Sequence, residues 1–171
     1  MLVEVTIQSL WLDGTTNTPV VILKELEGER ILPIWIGPGE ASAIATKLAG
    51  MESARPLTHD LLCSSIERLG GSLEKVVISR VEDSTYYAEI LILRDGELVS
   101  LDARPSDSIA LALRFDTQIF AQDELLDLSS EYRIEKSSTP DGALPDALTS
   151  MGPNELEEHL RRLNPEDFGR Y

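Results

Sequence analysis

The sequence predicts an α+β domain built on two similar strand-to-helix units, and three observations lead there. Leu98 to Arg114 reads as a strand, a proline break and a helix, with apolar Ile109, Leu111, Ala112 and Leu113 after Ser106-Asp107-Ser108. Ile31 to Leu48 has the same construction, and the two align without a gap at a common offset of 67 residues. Pro38 then falls on Pro105, Glu40 on Asp107, and Ala43 and Ala45 on Ala110 and Ala112. Third, the segments before each unit read as strands joined by tight turns, the pattern of an antiparallel sheet. Such a repeat predicts two units related by approximate symmetry, each with an acid at its helix start.

The elements follow in order. Val3 to Trp11 alternates apolar Val3, Val5 and Ile7 with Glu4, Thr6 and Gln8, the pattern of a half-buried strand. Turn residues Asp13-Gly14 and Asn17-Thr18-Pro19 separate it from a second strand, Val20 to Leu26, and Glu27-Gly28-Glu29 from a third, Arg30 to Ile36. A helix runs from Pro38 to Leu48. Proline suits its first position because no N–H is lost there and φ is already helical. Gly50 stops it. A second helix starts near Pro56 and Thr58, carries a stripe of Leu57, Leu61, Leu62, Ile66 and Leu69, and stops at Gly70-Gly71. Leu73 to Val81, Thr85 to Leu93 and Glu97 to Asp102 are strands, the last pair joined by the hairpin signal Asp95-Gly96. After the Pro105 helix come a short strand, Gln118 to Ala121, and about one helical turn, Asp123 to Leu128.

The character then changes. Lys136 to Ser150 has two prolines and little pattern, and reads as a linker. Pro153 to Leu163 is an amphipathic helix with Leu156, Leu160 and Leu163 on one stripe. It is too short to stand alone, so it docks on its own domain or on a partner. The organisation expected is a domain over residues 1–135, a linker over 136–152 and a helical tail over 153–171.

Composition sets limits. The 171 residues suffice for one domain with a buried core plus an appendage. No run of about 18 apolar residues spans a membrane, and the N-terminus carries Glu4 with no early Lys or Arg, unlike a secretory signal. A single cysteine, Cys63, excludes an internal disulfide framework and a cysteine zinc cluster. Cytoplasm is the compartment expected. The formal net charge is −15, and the acidity is spread: residues 1–130 hold 10 basic and 21 acidic residues, residues 131–171 hold 5 and 9. Nucleic-acid affinity comes mostly from phosphate neutralisation, so a chain this acidic needs a local basic cluster or cations to bind it.

Four segments together carry a family resemblance: LPIWIGPGEASAIA, RPLTHDLL, LDARPSDSIALALR and QIFAQDELL, in that order. The chain resembles the bifunctional nuclease family over about residues 1–135, and the closing ELEEHLRRLNPEDF looks like the tail of bacterial members. The resemblance implies a duplicated strand–helix unit on a curved, mostly antiparallel sheet. It also implies nuclease activity on RNA and DNA, with nucleic acid as the substrate.

Phosphodiester hydrolysis commonly uses carboxylates to hold a divalent metal, a base to activate water and a cation to stabilise the pentavalent state. The residues of those types are Glu40, His59, Asp60, Asp102 and Asp107 as catalytic candidates, with Arg55, Arg104 and Ser106 for the substrate. The expectation is Mg²⁺ or Mn²⁺ near Asp102 and Asp107, with Glu40 beside them if the units fold symmetrically. His59 or Asp60 would then be the base, and Arg55 and Arg104 would face phosphate. Each residue also has a plainer reading, and it carries more weight for the acids. Glu40 and Asp107 suit a helix N-terminus, Asp102 a strand end before a turn, and His59 a helix start. Arg55 and Arg104 can brace the loops, Ser106 can cap, and Cys63, Trp11 and Trp35 read as packing or interface residues. His159, on the tail helix, reads as solvated. No P-loop, GxGxxG, HExxH or PD…ExK-type pattern occurs. The function expected is a low-specificity, cation-dependent nuclease. The alternative is a non-catalytic oligomeric module that binds a small anion or a protein partner. A homodimer or higher homo-oligomer is expected in either case.

Overall fold

β1 (Leu2–Asp13), β2 (Thr18–Glu25) and β3 (Ile31–Trp35) form the first meander of the computed structural model, which describes residues 1–126, 148–151 and 153–162. α1 (Pro38–Leu48) and α2 (Thr58–Arg68) follow it. β4 (Gly71–Glu82), β5 (Thr85–Arg94) and β6 (Glu97–Ala103) form a second meander, and α3 (Pro105–Phe115) leaves it as α1 leaves the first. β7 (Ile119–Gln122), a helical turn at 123–126, β8 (Leu148–Met151) and α4 (Pro153–Arg162) come last. The sheet runs β3-β2-β1-β7-β4-β5-β6, with β8 beside β1. β7 pairs parallel with β4, and every other pairing is antiparallel. The two meanders therefore stand in mirrored order about β7. The class is α+β, and the element types agree with the sequence reading to within a few residues.

Local chemistry explains the boundaries. Asp95 and Gly96 adopt φ of 51° and 81°, the left-handed pair that a two-residue hairpin needs to match sheet twist. Gly71 lies where a Cβ would come within 2.9 Å of Ile92, so only glycine lets β4 start there. α1 and α3 pack against each other. Ala41 and Ala45 on one and Ala110 on the other are buried, and small side chains allow close approach. Ile44, Ile109 and Leu111 join Val21, Leu32, Val76, Ile78 and Ile90 of both meanders in one core.

The structure differs from the sequence reading in the α2 stripe, at residues 148–151 and at His159. The α2 stripe does not face the core: Leu57, Leu61, Leu62 and Leu69 are exposed, and only Ile66 packs on it, together with Cys63. α2 touches the body through α3 and β4. Residues 148–151, read as linker, form β8. β7 covers only Leu2 to Val5 of β1, which leaves the far half of that edge open, and β8 pairs with Leu10 to Asp13 there. α4 packs on α1 and β1, so this helix docks on its own domain. His159 on it is half-buried rather than solvated, with Nε2 shielded and without a hydrogen-bond partner among the described residues. Trp35, read as a packing or interface residue, is 41% exposed at the end of β3. Asp127, Leu128, residues 136–147 and Leu163 lie outside the described residues, as do the side chains of Leu156 and Leu160. No helix among the described residues is long and apolar enough to cross a membrane.

Candidate active site

Two strand-to-helix junctions and the start of a third helix make the site. β3 runs through Gly37 into α1, with Pro38 in its first turn and Glu40 beside it. β6 runs through Arg104 into α3, with Pro105 in its first turn and Asp107 two residues on. The proline fixes the entry angle, and the acid sits where free N–H groups and the positive dipole end favour it. Because α1 and α3 pack together, both first turns reach one cavity of about 730 Å³. α2 brings His59 to the same wall.

The side chains form a continuous chain of contacts. Arg104 Nη2 lies 2.7 Å from Glu40 Oε1, and Arg104 Nε donates to Asp107 Oδ2 at 2.7 Å. Asp107 Oδ1 lies 3.0 Å from His59 Nε2. Burial by itself raises the Asp107 pKa, but the bonds from Arg104 and His59 outweigh it and hold the carboxyl below its usual range. The Asp107 bond in turn raises the Arg104 pKa. An ionised Asp107 only accepts, so His59 Nε2 donates to it. The carboxylate orients the ring and fixes which nitrogen holds the proton of this bond, the arrangement of an oriented histidine.

This coupling has a pH signature. The pKa of Asp107 is depressed on folding from an ordinary 3.8, so its stabilisation is complete above that value. It is lost as pH falls through the lowered value in the folded state. Asp107→Asn is therefore expected to flatten the acid limb of stability below pH 3.8. Urea midpoints measured from pH 6 to pH 2 check this, and an unchanged limb refutes it.

The other candidates stand elsewhere. Asp60 faces away from the His59 chain: its Oδ2 accepts the Leu57 N–H at 2.9 Å and its Oδ1 lies 2.6 Å from Arg114 Nε. Burial alone would raise its pKa, but these partners lower it. Asp102 is exposed on β6 opposite Glu89 and does not line the cavity. Arg55 is exposed and does not line it either. Ser106 is buried in the first turn of α3. Cys63 has its thiol pushed up to about 11 by burial, which suits packing rather than nucleophilic attack.

A protein-held divalent cation does not fit these donors. Among the described residues no three His, Cys, Asp or Glu side chains converge. Both Asp107 oxygens are engaged, and the Arg104 guanidinium stands between Glu40 and Asp107 where a cation would have to sit.

Arg114 was not singled out by its sequence position, although it matters to the site. Only 6% exposed, it donates to Asp60, to the Ala110 carbonyl at 2.9 Å and to the Ala43 carbonyl at 3.4 Å. One side chain thus ties α3 to α2 and α1. The spacing Asp107, Ala110, Arg114 was the available signal, since it sets an arginine on the helix face of a candidate acid.

Comparison with known proteins adds to this geometry. The family model described as the bifunctional nuclease domain matches residues 21–133. An uncharacterized protein of Mycobacterium tuberculosis is 38% identical over 168 residues, which is 96% of this chain and 97% of that protein. Bifunctional nuclease 1 of Oryza sativa subsp. japonica is 26% identical over 105 residues, 60% of this chain and 32% of the rice protein. Bifunctional nuclease 1 of Arabidopsis thaliana is 26% identical over 100 residues, 56% of this chain and 31% of that protein.

Proposed function

Because the chain belongs to the bifunctional nuclease domain family, we propose that it hydrolyses phosphodiester bonds in RNA and DNA with low sequence specificity, in the cavity between α1, α2 and α3. The observation that carries this reading is the Arg104–Asp107–His59 chain. It supplies a cation for the phosphate and an oriented base for water on one wall. Water attacks phosphorus while His59 Nδ1 takes its proton. Arg104, with a side chain 62% exposed, turns to the phosphoryl oxygens and stabilises the added charge. The ester P–O bond breaks, and the departing sugar oxygen takes a proton from solvent. Asp107 keeps the ring oriented as it becomes imidazolium.

One observation favours the non-catalytic alternative. Glu40 and Asp107 already neutralise Arg104, so the cluster carries no net positive charge to draw in a polyanion. The deciding measurement is cleavage of labelled single strands by wild type, Glu40→Ala and Asp107→Ala, each with Mg²⁺, Mn²⁺ or EDTA. Wild-type cleavage is expected to persist in EDTA, and Asp107→Ala is expected to lose at least 10²-fold. Activity that survives both substitutions would belong to another site or a contaminant. Activity abolished by EDTA would mean that a cation displaces Arg104 from the acids.

A further inference from the structure

Arg104 borders a second cavity, of about 550 Å³, which His59 does not line. Trp35, Gly37, Thr85, Tyr86 and Ser106 line it. Trp35 ends edge strand β3 and is 41% exposed, yet its ring is not loose: Nε1 donates to Asp13 Oδ2 at 3.0 Å. A large aromatic is thus held by its polar edge in the lining of a cavity, with two fifths of its surface open. The chain carries −15 and Arg104 is shared by two acids, so phosphate contacts alone give little affinity for nucleic acid. A nucleobase is the neutral part of a nucleotide, and stacking on an aromatic is indifferent to its sequence.

Resting on the nuclease reading, we infer that the Trp35 cavity holds an unpaired nucleobase of a single-stranded nucleic acid, next to the phosphate that Arg104 binds. Arg104 lines both cavities, so a base entering the second belongs to a nucleotide adjoining the bond cleaved in the first. Duplex is disfavoured, because its bases are already stacked and paired. The low sequence specificity then has a physical origin in stacking without readout of base edges.

The test is anisotropy of a labelled single strand with phosphorothioate linkages, beside the same strand made wholly of abasic sugar-phosphate, on the full chain. Trp35→Ala is expected to weaken binding of the base-carrying strand roughly 5- to 150-fold, and the abasic strand hardly at all. Trp35→Phe keeps a π face and is expected to stay near wild type. It also controls for folding, since it retains most of the ring. Wild-type binding of the base-carrying strand by Trp35→Ala would overturn the subsite, as would equal weakening of both strands. Cleavage by wild type alongside either result would leave the nuclease reading intact. Trp35-dependent binding without cleavage by any form would support the subsite and remove the nuclease reading alone.

Discussion

Replacing His59 with alanine is expected to lower kcat for phosphodiester cleavage by about 10²- to 10⁴-fold, the usual worth of a positioned general base. KM should change little, because Arg104 remains to bind phosphate. The ring is only 12% exposed and bonded to Asp107, so alanine also removes packing and a hydrogen bond. His59→Gln separates the two effects. Its amide N–H can still donate to Asp107, but it has no lone pair of useful basicity. The expected result is a fold retained in His59→Gln with cleavage as low as in His59→Ala. The limb of the pH–rate profile that reports the base should vanish in both. Full activity in His59→Gln would make the residue a brace for Asp107 and move the chemistry elsewhere. Asp107→Asn supplies the complementary result. An asparagine amide facing Nε2 no longer fixes the tautomer, so a loss approaching that of His59→Ala is expected.

Readability from sequence followed the range of the interaction that decides each feature. Glu40 and Asp107 could be paired in advance because each is fixed by a local rule, an acid just inside a helix opened by proline. One repeat offset then links the two rules. The His59–Asp107 contact joins residues 48 apart in the chain and depends on where α2 docks, which no local pattern states. The α2 stripe was misleading for the same reason. Its leucines give a helical period whether the face meets a core or solvent, and here Leu57 and Leu62 line the cavity instead. Asp102 reads as a site acid from its position before Arg104-Pro105, yet β6 exposes it opposite Glu89 while the next residue, Ala103, turns partly inward. β8 could not be seen because it answers a gap in pairing. It is needed only because β7 is four residues long beside a twelve-residue β1.

Arg114→Ala should be the most destabilising single change around the site, at about 3 kcal/mol, the low end for breaking a buried ion pair. In a chain of this size that is a fall in Tm of about 10 °C. Alanine removes the guanidinium that bridges the Ala43 and Ala110 carbonyls, which keep their helix bonds, and takes the partner from Asp60. The low end applies because Asp60 is 39% exposed and regains water. Its depressed pKa adds a signature: the stabilisation it gives is full above 3.8 and fades as pH falls through the lowered folded value. Arg114→Ala should therefore cost less at pH 2 than at pH 7. Replacing both partners, as Asp60→Leu with Arg114→Met, should recover much of the stability, because apolar groups of similar volume often substitute for a buried pair at little cost. Cleavage should not recover with it. The Asp60–Arg114 link anchors the first turn of α2, and His59 is the residue beside Asp60. A double variant that is stable but slow, with kcat lowered more than KM is raised, would identify Arg114 as a positioning residue for His59. One that regains both stability and rate would reduce Arg114 to a structural tie.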